Sequence, residues 1–239
     1  MATNTVALPS ALPQRHAAGA DTATAEAAAR DPQRAIFDAT ERLCAEYGLE
    51  VVSVRDIARA AGVNLSAINY YYGSRTNLIV SILRTRLHEL ESEREQLIEA
   101  LQHQECPDLR AILHAVLQPL SRWRRPGSDR RYALMYLSRS LSAAEPELRQ
   151  ETAVCAKNFR AVIDLLQRAL PAYSREEICW RFHFLMGIEH LNAYDADRLQ
   201  VLSDGACRSD DHEETLERAV EFAVAGFLAP PRAPATQPG

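Results

Sequence analysis

The chain has 239 residues, of which 47% are hydrophobic and 25% charged, with a net charge of −5. That balance fits an ordinary globular protein and excludes a polybasic or largely disordered one. No apolar run approaches the roughly 20 residues of a membrane span. No basic segment leads into an apolar core, so no secretory signal is expected. The five cysteines (Cys44, Cys106, Cys155, Cys179 and Cys207) are far apart and lack C-x2-C pairing, which suits a reducing, cytoplasmic setting. Glycine is scarce and strand-like alternation nearly absent, so the expected fold is all-α.

In chain order, residues 1–31 are rich in Ala, Thr and Pro and are expected to form a disordered tail. Arg15, His16 and Arg30 are its only candidates for a DNA-touching arm, and an inert tail is the plainer expectation. Asp31 is a natural cap and Pro32 suits a first helical position. A helix follows to Tyr47, with Ile36, Ala39, Thr40, Leu43 and Tyr47 as its inward stripe, and Gly48 closes it. Next comes SVRDIARAAGVNLSAINYYYGSR, Ser53 to Arg75. Ser53 caps a helix whose Val54, Ile57, Ala58 and Ala61 recur at the spacing of one buried face. Gly62 ends it, and Asn64 or Ser66 caps a second helix carrying Ala67, Ile68, Tyr71 and Tyr72. The spacing Ala58-x3-Gly62-x5-Ile68 fits a helix-turn-helix: a small residue at the crossing, glycine in the turn, and Ile68 as the plug between helices.

A long helix is expected from about Arg75 to His103, capped by Ser74 and about 40 Å long at 1.5 Å per residue. Leu78, Ile79, Ile82, Leu87, Leu90, Leu97 and Leu101 mark its apolar face, and its charged middle, His88 to Gln96, reads as a solvated face. Further helices are expected over about Asp108–Arg124, kinked at Pro119, then Asp129–Ala143, Pro146–Leu170, Arg175–Tyr194 and Asp211–Leu228. The Arg175–Tyr194 stretch is apolar nearly all round and needs burial on two sides, one of them against a partner subunit. That makes about nine helices. The expected division is a tail at 1–31, a helix-turn-helix part at 32–78, a helical ligand-binding and dimerisation part at 79–229, and a tail at 230–239.

Residues 34–78 resemble the N-terminal DNA-binding domain of the TetR/AcrR family of bacterial regulators. The resemblance rests on Ile36, Ala39, Leu43 and Gly48, on SVRDIARAAGV, and on INYYYGSR, the family's aromatic run followed by Gly-Ser-Arg. It implies an all-α homodimer whose last two helices pair with their copies and whose middle helices enclose a small-molecule effector. The positions that face double-stranded DNA in such proteins are here Asn64, Leu65, Ser66, Ala67, Asn69, Tyr70 and Tyr71. Asn69 suits adenine, and Leu65 or Ala67 a thymine methyl. Tyr70, Tyr71, Arg75, Ser53 and Arg55 suit phosphates. Asn69 stands where the family often has Tyr, and Tyr72 where it often has Phe; Tyr72 is expected in the core. A dimer would read an inverted-repeat, palindromic operator.

The net charge of −5 weighs against nucleic acid, but Gln33 to His88 holds seven Arg against five Asp/Glu, a local +2. For the effector, Trp123, Tyr132, Met135, Tyr136, Arg139, Phe159, His183 and Met186 form the candidate pocket, with a largely apolar ligand expected. The segment Cys179–His190 is similar to regulators of this type that respond to acyl-chain ligands. No Gly-rich phosphate loop, G-x-S-x-G or H-E-x-x-H is present, so an enzyme is not expected. His183, Met186 and His190 share a helical face but lack a carboxylate or thiolate ligand set, so neither metal nor cofactor is expected. The alternatives are a metal- or redox-sensing regulator on the same scaffold, or a DNA-binding protein without an effector.

Overall fold

The computed structural model describes residues 31–125, 127–128, 130–142, 146–151, 155–194, 196–207 and 211–231. Expectations for residues 1–30 and 232–239, including Arg15, His16 and Arg30, lie outside the described residues. The regular structure described is all helical: α1 Pro32–Tyr47, α2 Val54–Ala61, α3 Leu65–Tyr72, α4 Arg75–Gln102, α5 Leu109–Trp123, α6 Arg131–Ser142, α7 Pro146–Glu151, α8 Cys155–Ala169, α9 Arg175–Tyr194, α10 Ala196–Leu202 and α11 His212–Leu228.

Short-range signals set these ends. Asp31, Ser53, Asn64, Ser74, Asp108 and Asp211 each accept an amide of the following first turn. Such a side chain satisfies one of the donors a helix leaves unpaired. The count exceeds the expected nine by two. The helix expected over 146–170 is recorded as α7 and α8, with 152–154 between them outside the described residues. The other addition, α10, has Leu199, Val201 and Leu202 exposed, so no buried stripe announces it in the sequence.

Two apolar cores lie along α4. The first joins Ile36 and Cys44 of α1, Ile57 and Ala61 of α2, Ile68 of α3 and the first half of α4, and continues into Ala133, Tyr136 and Leu137 of α6. Packing is therefore continuous past residue 78. The second joins Ile98 and Leu101 of α4 with Leu113 and Val116 of α5, Val162 and Leu166 of α8, Ile178 and Phe182 of α9, and Val220 and Phe227 of α11. Phe159 touches both.

Of the stretch His88–Gln96, expected as a solvated face, His88, Ser92, Glu95 and Gln96 are exposed, but Glu91 and Arg94 are buried. Arg86, Glu91 and Arg94 are 3%, 4% and 2% exposed, because α1, α5, α8 and α9 surround α4 there. Arg86 forms a fork with Glu41 of α1, Nε to Oε1 at 2.6 Å and Nη2 to Oε2 at 2.8 Å, and a 2.8 Å contact with Glu89. Arg94 pairs with Glu91 and, at 3.2 Å, with Glu189 of α9. Asn158 of α8 donates to Glu91 at 2.8 Å. Buried charges need partners of this kind.

Candidate nucleic-acid interface

The α2–α3 hairpin is built almost wholly from local contacts. Ser53 and Asp56 cap each other: the Asp56 amide donates to the Ser53 hydroxyl at 3.2 Å and the Ser53 amide to the Asp56 carboxylate at 3.1 Å. At the other end Gly62 turns with φ +67°, and Val63 N–H reaches back to the Ala58 carbonyl at 3.0 Å, the six-to-one closure of a glycine-ended helix. Asn64 then caps α3 by accepting from the Ala67 amide at 2.9 Å. Ile57, Ala61 and Ile68 are at most 1% exposed and fix the two helices to each other.

With Ile68 inward, α3 turns Leu65, Ser66, Asn69 and Tyr70 outward, all exposed. They fall at i, i+1, i+4 and i+5, one continuous helical face. Tyr70 is 83% exposed and its ring packs edge-on to Tyr71 with centroids 5.0 Å apart. Ser53 and Arg55 are exposed at the start of α2. Ser53, Arg55, Leu65, Ser66, Asn69, Tyr70 and Tyr71 are thus all exposed. Exposed α-helical edges of this kind can enter a major groove while the amides and dipole at the start of α2 meet phosphate.

Three of the expected residues, Asn64, Ala67 and Arg75, have other work. Asn64 and Ser66 are tied together, the Ser66 hydroxyl donating to Asn64 Oδ1 at 2.7 Å, so Asn64 Oδ1 is held by the cap. Ala67 is half-buried against the core. Arg75 corrects the sequence reading most. Its guanidinium donates to the Val52 carbonyl at 2.9 Å and also to the Leu49 carbonyl. It pins the loop into α2 rather than pointing at a phosphate. Tyr72 is half-buried as expected of a core position, and its hydroxyl donates to the Gln33 carbonyl at 3.1 Å, joining α3 to the start of α1. Arg59, exposed on α2 with a loose 3.6 Å contact to Asp56, is a basic residue near this surface that helical periodicity alone does not single out.

The eight candidate effector residues do not gather into one pocket. Tyr136 is fully buried, its hydroxyl donating to the Ile79 carbonyl at 2.7 Å. Trp123 is buried, its Nε1 donating to Glu93 at 3.0 Å beneath the Arg130 guanidinium. Tyr132 and Arg139 lie at the seam between α6 and α1, next to Glu46, and Met135 packs on the first core. Phe159 packs edge-on to Phe182 and beneath Arg94, and Met186 packs on the second core. His183 is exposed beside Trp180 and Phe184. Two cavities have other walls. One of about 40 Å³ lies between α5, α9 and α11, and an open one of about 490 Å³ lies between the end of α4 and α8.

Among the described residues no group of three or more His, Cys, Asp or Glu could hold a metal ion. Burial pushes the Cys44 thiol up to about 11 and the Cys155 thiol up to about 12, away from the reactive thiolate. Cys44 and Cys155 are buried, while Cys106, Cys179 and Cys207 are exposed. No helix among the described residues is long and apolar enough to cross a membrane.

Two family models match the chain: one described as bacterial regulatory proteins, tetR family, over residues 36–82, and one as a tetracyclin repressor-like C-terminal domain over residues 114–226. The chain is similar to the HTH-type transcriptional regulator BetI of Agrobacterium fabrum, 33% identical over 88 residues. That match covers 36% of this chain and spans only 41% of the relative's length. Among solved structures, a TetR-family transcriptional regulator from Bordetella parapertussis superposes with a TM-score of 0.61 at 19% identity, covering 85% of this chain and 99% of the other. The transcriptional regulator FadR from Bacillus subtilis, in complex with stearoyl-CoA, superposes with a TM-score of 0.56 at 18% identity, covering 81% and 98%.

Proposed function

The chain belongs to the tetR family of bacterial regulatory proteins, and we propose that this DNA-binding transcriptional regulator is a homodimeric, cytoplasmic repressor of an inverted-repeat operator, released by a small, largely apolar effector. The observation that carries the reading is the outward face of α3 (Leu65, Ser66, Asn69 and Tyr70) on a hairpin capped at every end. Residues 32–78 form the DNA-binding part, and 79–229 the effector and dimer part. Asn69 reads a base edge, Leu65 meets a thymine methyl, and Ser53, Arg55, Tyr70 and Tyr71 meet phosphates. Arg75 acts one step back, by holding the loop that aims α2.

A single α3 spans a few base pairs, so selectivity requires two copies. The support for a dimer through α9 and α11 is exposed apolar surface. Trp180, Phe184 and Leu191 of α9 are 54%, 62% and 50% exposed, and Phe222 of α11 is 69% exposed. Trp180 and Phe184 stack with centroids 6.0 Å apart. Effector binding among α4 to α9 then favours a dimer in which the two α3 helices no longer match successive major grooves. Operator affinity falls by the effector's preference between the two states. The buried Glu41–Arg86 fork and the Tyr136–Ile79 hydrogen bond carry any shift of α4 and α6 into α1. An apolar effector agrees with a neighbour of the same fold that is recorded with stearoyl-CoA.

The test is selection of bound sequences from random double-stranded DNA, then footprinting of the winner. An enriched inverted repeat with half-sites a helical turn or more apart is expected. A single asymmetric half-site, or no enrichment at low salt, overturns the reading.

A further inference from the structure

Arg94 of α4 sets one guanidinium between two carboxylates. It donates to Glu91 on its own helix and, from Nη2 at 3.2 Å, to Glu189 of α9. The side chains of Arg94, Glu91 and Glu189 are 2%, 5% and 9% exposed. Arg94 Nε also donates to the Val116 carbonyl of α5 at 3.3 Å, and Asn158 of α8 donates to Glu91 Oε2 at 2.8 Å. Four helices therefore meet on a cluster that, with both acids ionised, holds one negative charge too many. An excess charge so far from water is costly, and a proton on one carboxyl relieves it. Glu189 is the group placed to take that proton. Glu91 has both an ion pair and the Asn158 donor, and each favours its ionised form. Among the described residues Glu189 has the Arg94 contact alone. It also lines the cavity of about 40 Å³ between α5, α9 and α11, which has room for a water to carry the proton. Burial raises the Glu189 carboxyl to about 7, with Arg94 opposing and Glu91 adding to the rise.

We propose that Glu91, Arg94 and Glu189 form a proton-operated latch between α4 and α9, closed while Glu189 is protonated; ionised Glu189 loosens α9 from α4 and weakens operator binding. The step is transfer of one proton from the Glu189 carboxyl through the cavity to water. The position gives the latch its reach. α4 leads back into the core it shares with α1, α2 and α3, and α9 carries the bare Trp180, Phe184 and Leu191. The operator half of the proposal rests on the operator reading above; the latch itself does not. Other groups stand close by. Cys155 and Asn158 of α8 flank the cluster, and burial keeps the thiol protonated. Arg124 at the end of α5 and His212 at the start of α11 line the same cavity, and His190 follows Glu189 on α9. Among the described residues, Arg94 and Glu91 are the charges that act on Glu189.

The test has two arms, both on the full chain at constant ionic strength, at about pH 6 and about pH 8 around the Glu189 value. The first needs no DNA: hydrogen exchange of the α9 amides, corrected for the intrinsic effect of pH, reads the latch itself. Exchange roughly tenfold faster at the higher pH is expected, the effect of one linked proton. The second is fluorescence anisotropy on the selected operator. Binding weaker by roughly tenfold at the higher pH is expected, within the usual span of coupling between distant sites. Glu189→Gln should remove both effects and keep the low-pH behaviour. Glu91→Gln should remove both as well, because one guanidinium then balances one carboxylate. Histidines as a class change charge in the same range, so His212→Gln and His190→Gln are the controls, and both should leave the effects in place. The latch is overturned if native α9 exchanges equally at both pH values, if Glu189→Gln keeps the difference, or if either histidine variant abolishes it. Exchange that responds while operator affinity does not overturns the operator half. If selection yields no operator, the operator reading falls and the exchange arm still decides the latch.

Discussion

At the scale of single residues, Asn69 and Arg75 separate reading from holding. Asn69 is exposed and packs on nothing in the core, so Asn69→Ala should leave Tm unchanged. It should weaken operator binding by about 1–3 kcal/mol, the worth of one good base contact, and relax selectivity at one base pair. Fluorescence anisotropy on the selected operator and its single-base variants measures both. Arg75→Gln should behave differently. It strips charged donors from the Val52 and Leu49 carbonyls, at a cost of about 1–2 kcal/mol in urea unfolding. Operator affinity should fall alongside stability, without a change in preferred bases; a Tm equal to the native value would restore Arg75 as a phosphate contact. The difference also marks what the sequence could reveal. The caps Ser53 and Asn64, the Gly62 turn and the Ile68 plug act within a few residues of themselves, so their spacing is legible. Arg75 spends its donors on carbonyls 23 and 26 positions away, and no local pattern announces that.

At the scale of helices, periodicity located every recorded helix but α10, with α7 and α8 taken as one, because a stripe that something buries marks them. It missed the buried Glu91 and Arg94 in the middle of α4, since a charged run looks the same whether solvent or other helices surround it. The burial of Glu41 and Arg86 makes a strong prediction. Their side chains are 6% and 4% exposed, and removing one partner of a buried pair typically costs about 3–5 kcal/mol. Glu41→Gln should therefore lower stability by roughly 3 kcal/mol, while Glu41→Met with Arg86→Leu should recover most of it, as urea midpoints will report. Glu189 gives α9 a pH dependence. Burial raises its carboxyl to about 7, opposed by Arg94 and reinforced by Glu91; Asn158 and Cys155 of α8 flank the same cluster, and Arg124 lies across the cavity. The folded chain then binds a proton that the unfolded chain has released above its ordinary value of 4.5. Stability present below that value is lost as pH rises towards and through 7, the sign expected when the native state binds more protons. Glu189→Gln should flatten the fall in Tm between pH 5 and 8, and an unchanged slope would assign it to other groups.

At the scale of the whole molecule, the chain buries one side of α9 and leaves the other bare. Ile178, Phe182 and Leu185 are at most 5% exposed, while Trp180, Phe184 and Leu191 on the same helix are at least half exposed. The sequence reveals this as a helix apolar all round, yet it cannot name what covers the second side, because burial between chains leaves the same pattern as burial within one. On α11, Phe222 stands 69% exposed while Val220, Ala223 and Phe227 are buried, so the bare surface spans both helices. Apolar surface of this extent is a normal mark of an interface. Reversing it should divide the molecule without unfolding it. Phe184→Asp combined with Phe222→Arg changes two exposed side chains, and the helical circular dichroism and Tm should hold. Sedimentation velocity should then report the mass of one chain where the native protein reports two. Each freed chain still carries its own α3 face, so binding to an isolated half-site should persist at its weak native level. Binding to the full inverted repeat should fall by roughly a hundredfold or more, because joining two half-sites through one rigid body supplies that gain. If the double variant remains a dimer, pairing lies elsewhere on the surface; if it becomes a monomer and still binds the full repeat at native strength, a single chain suffices to read the operator.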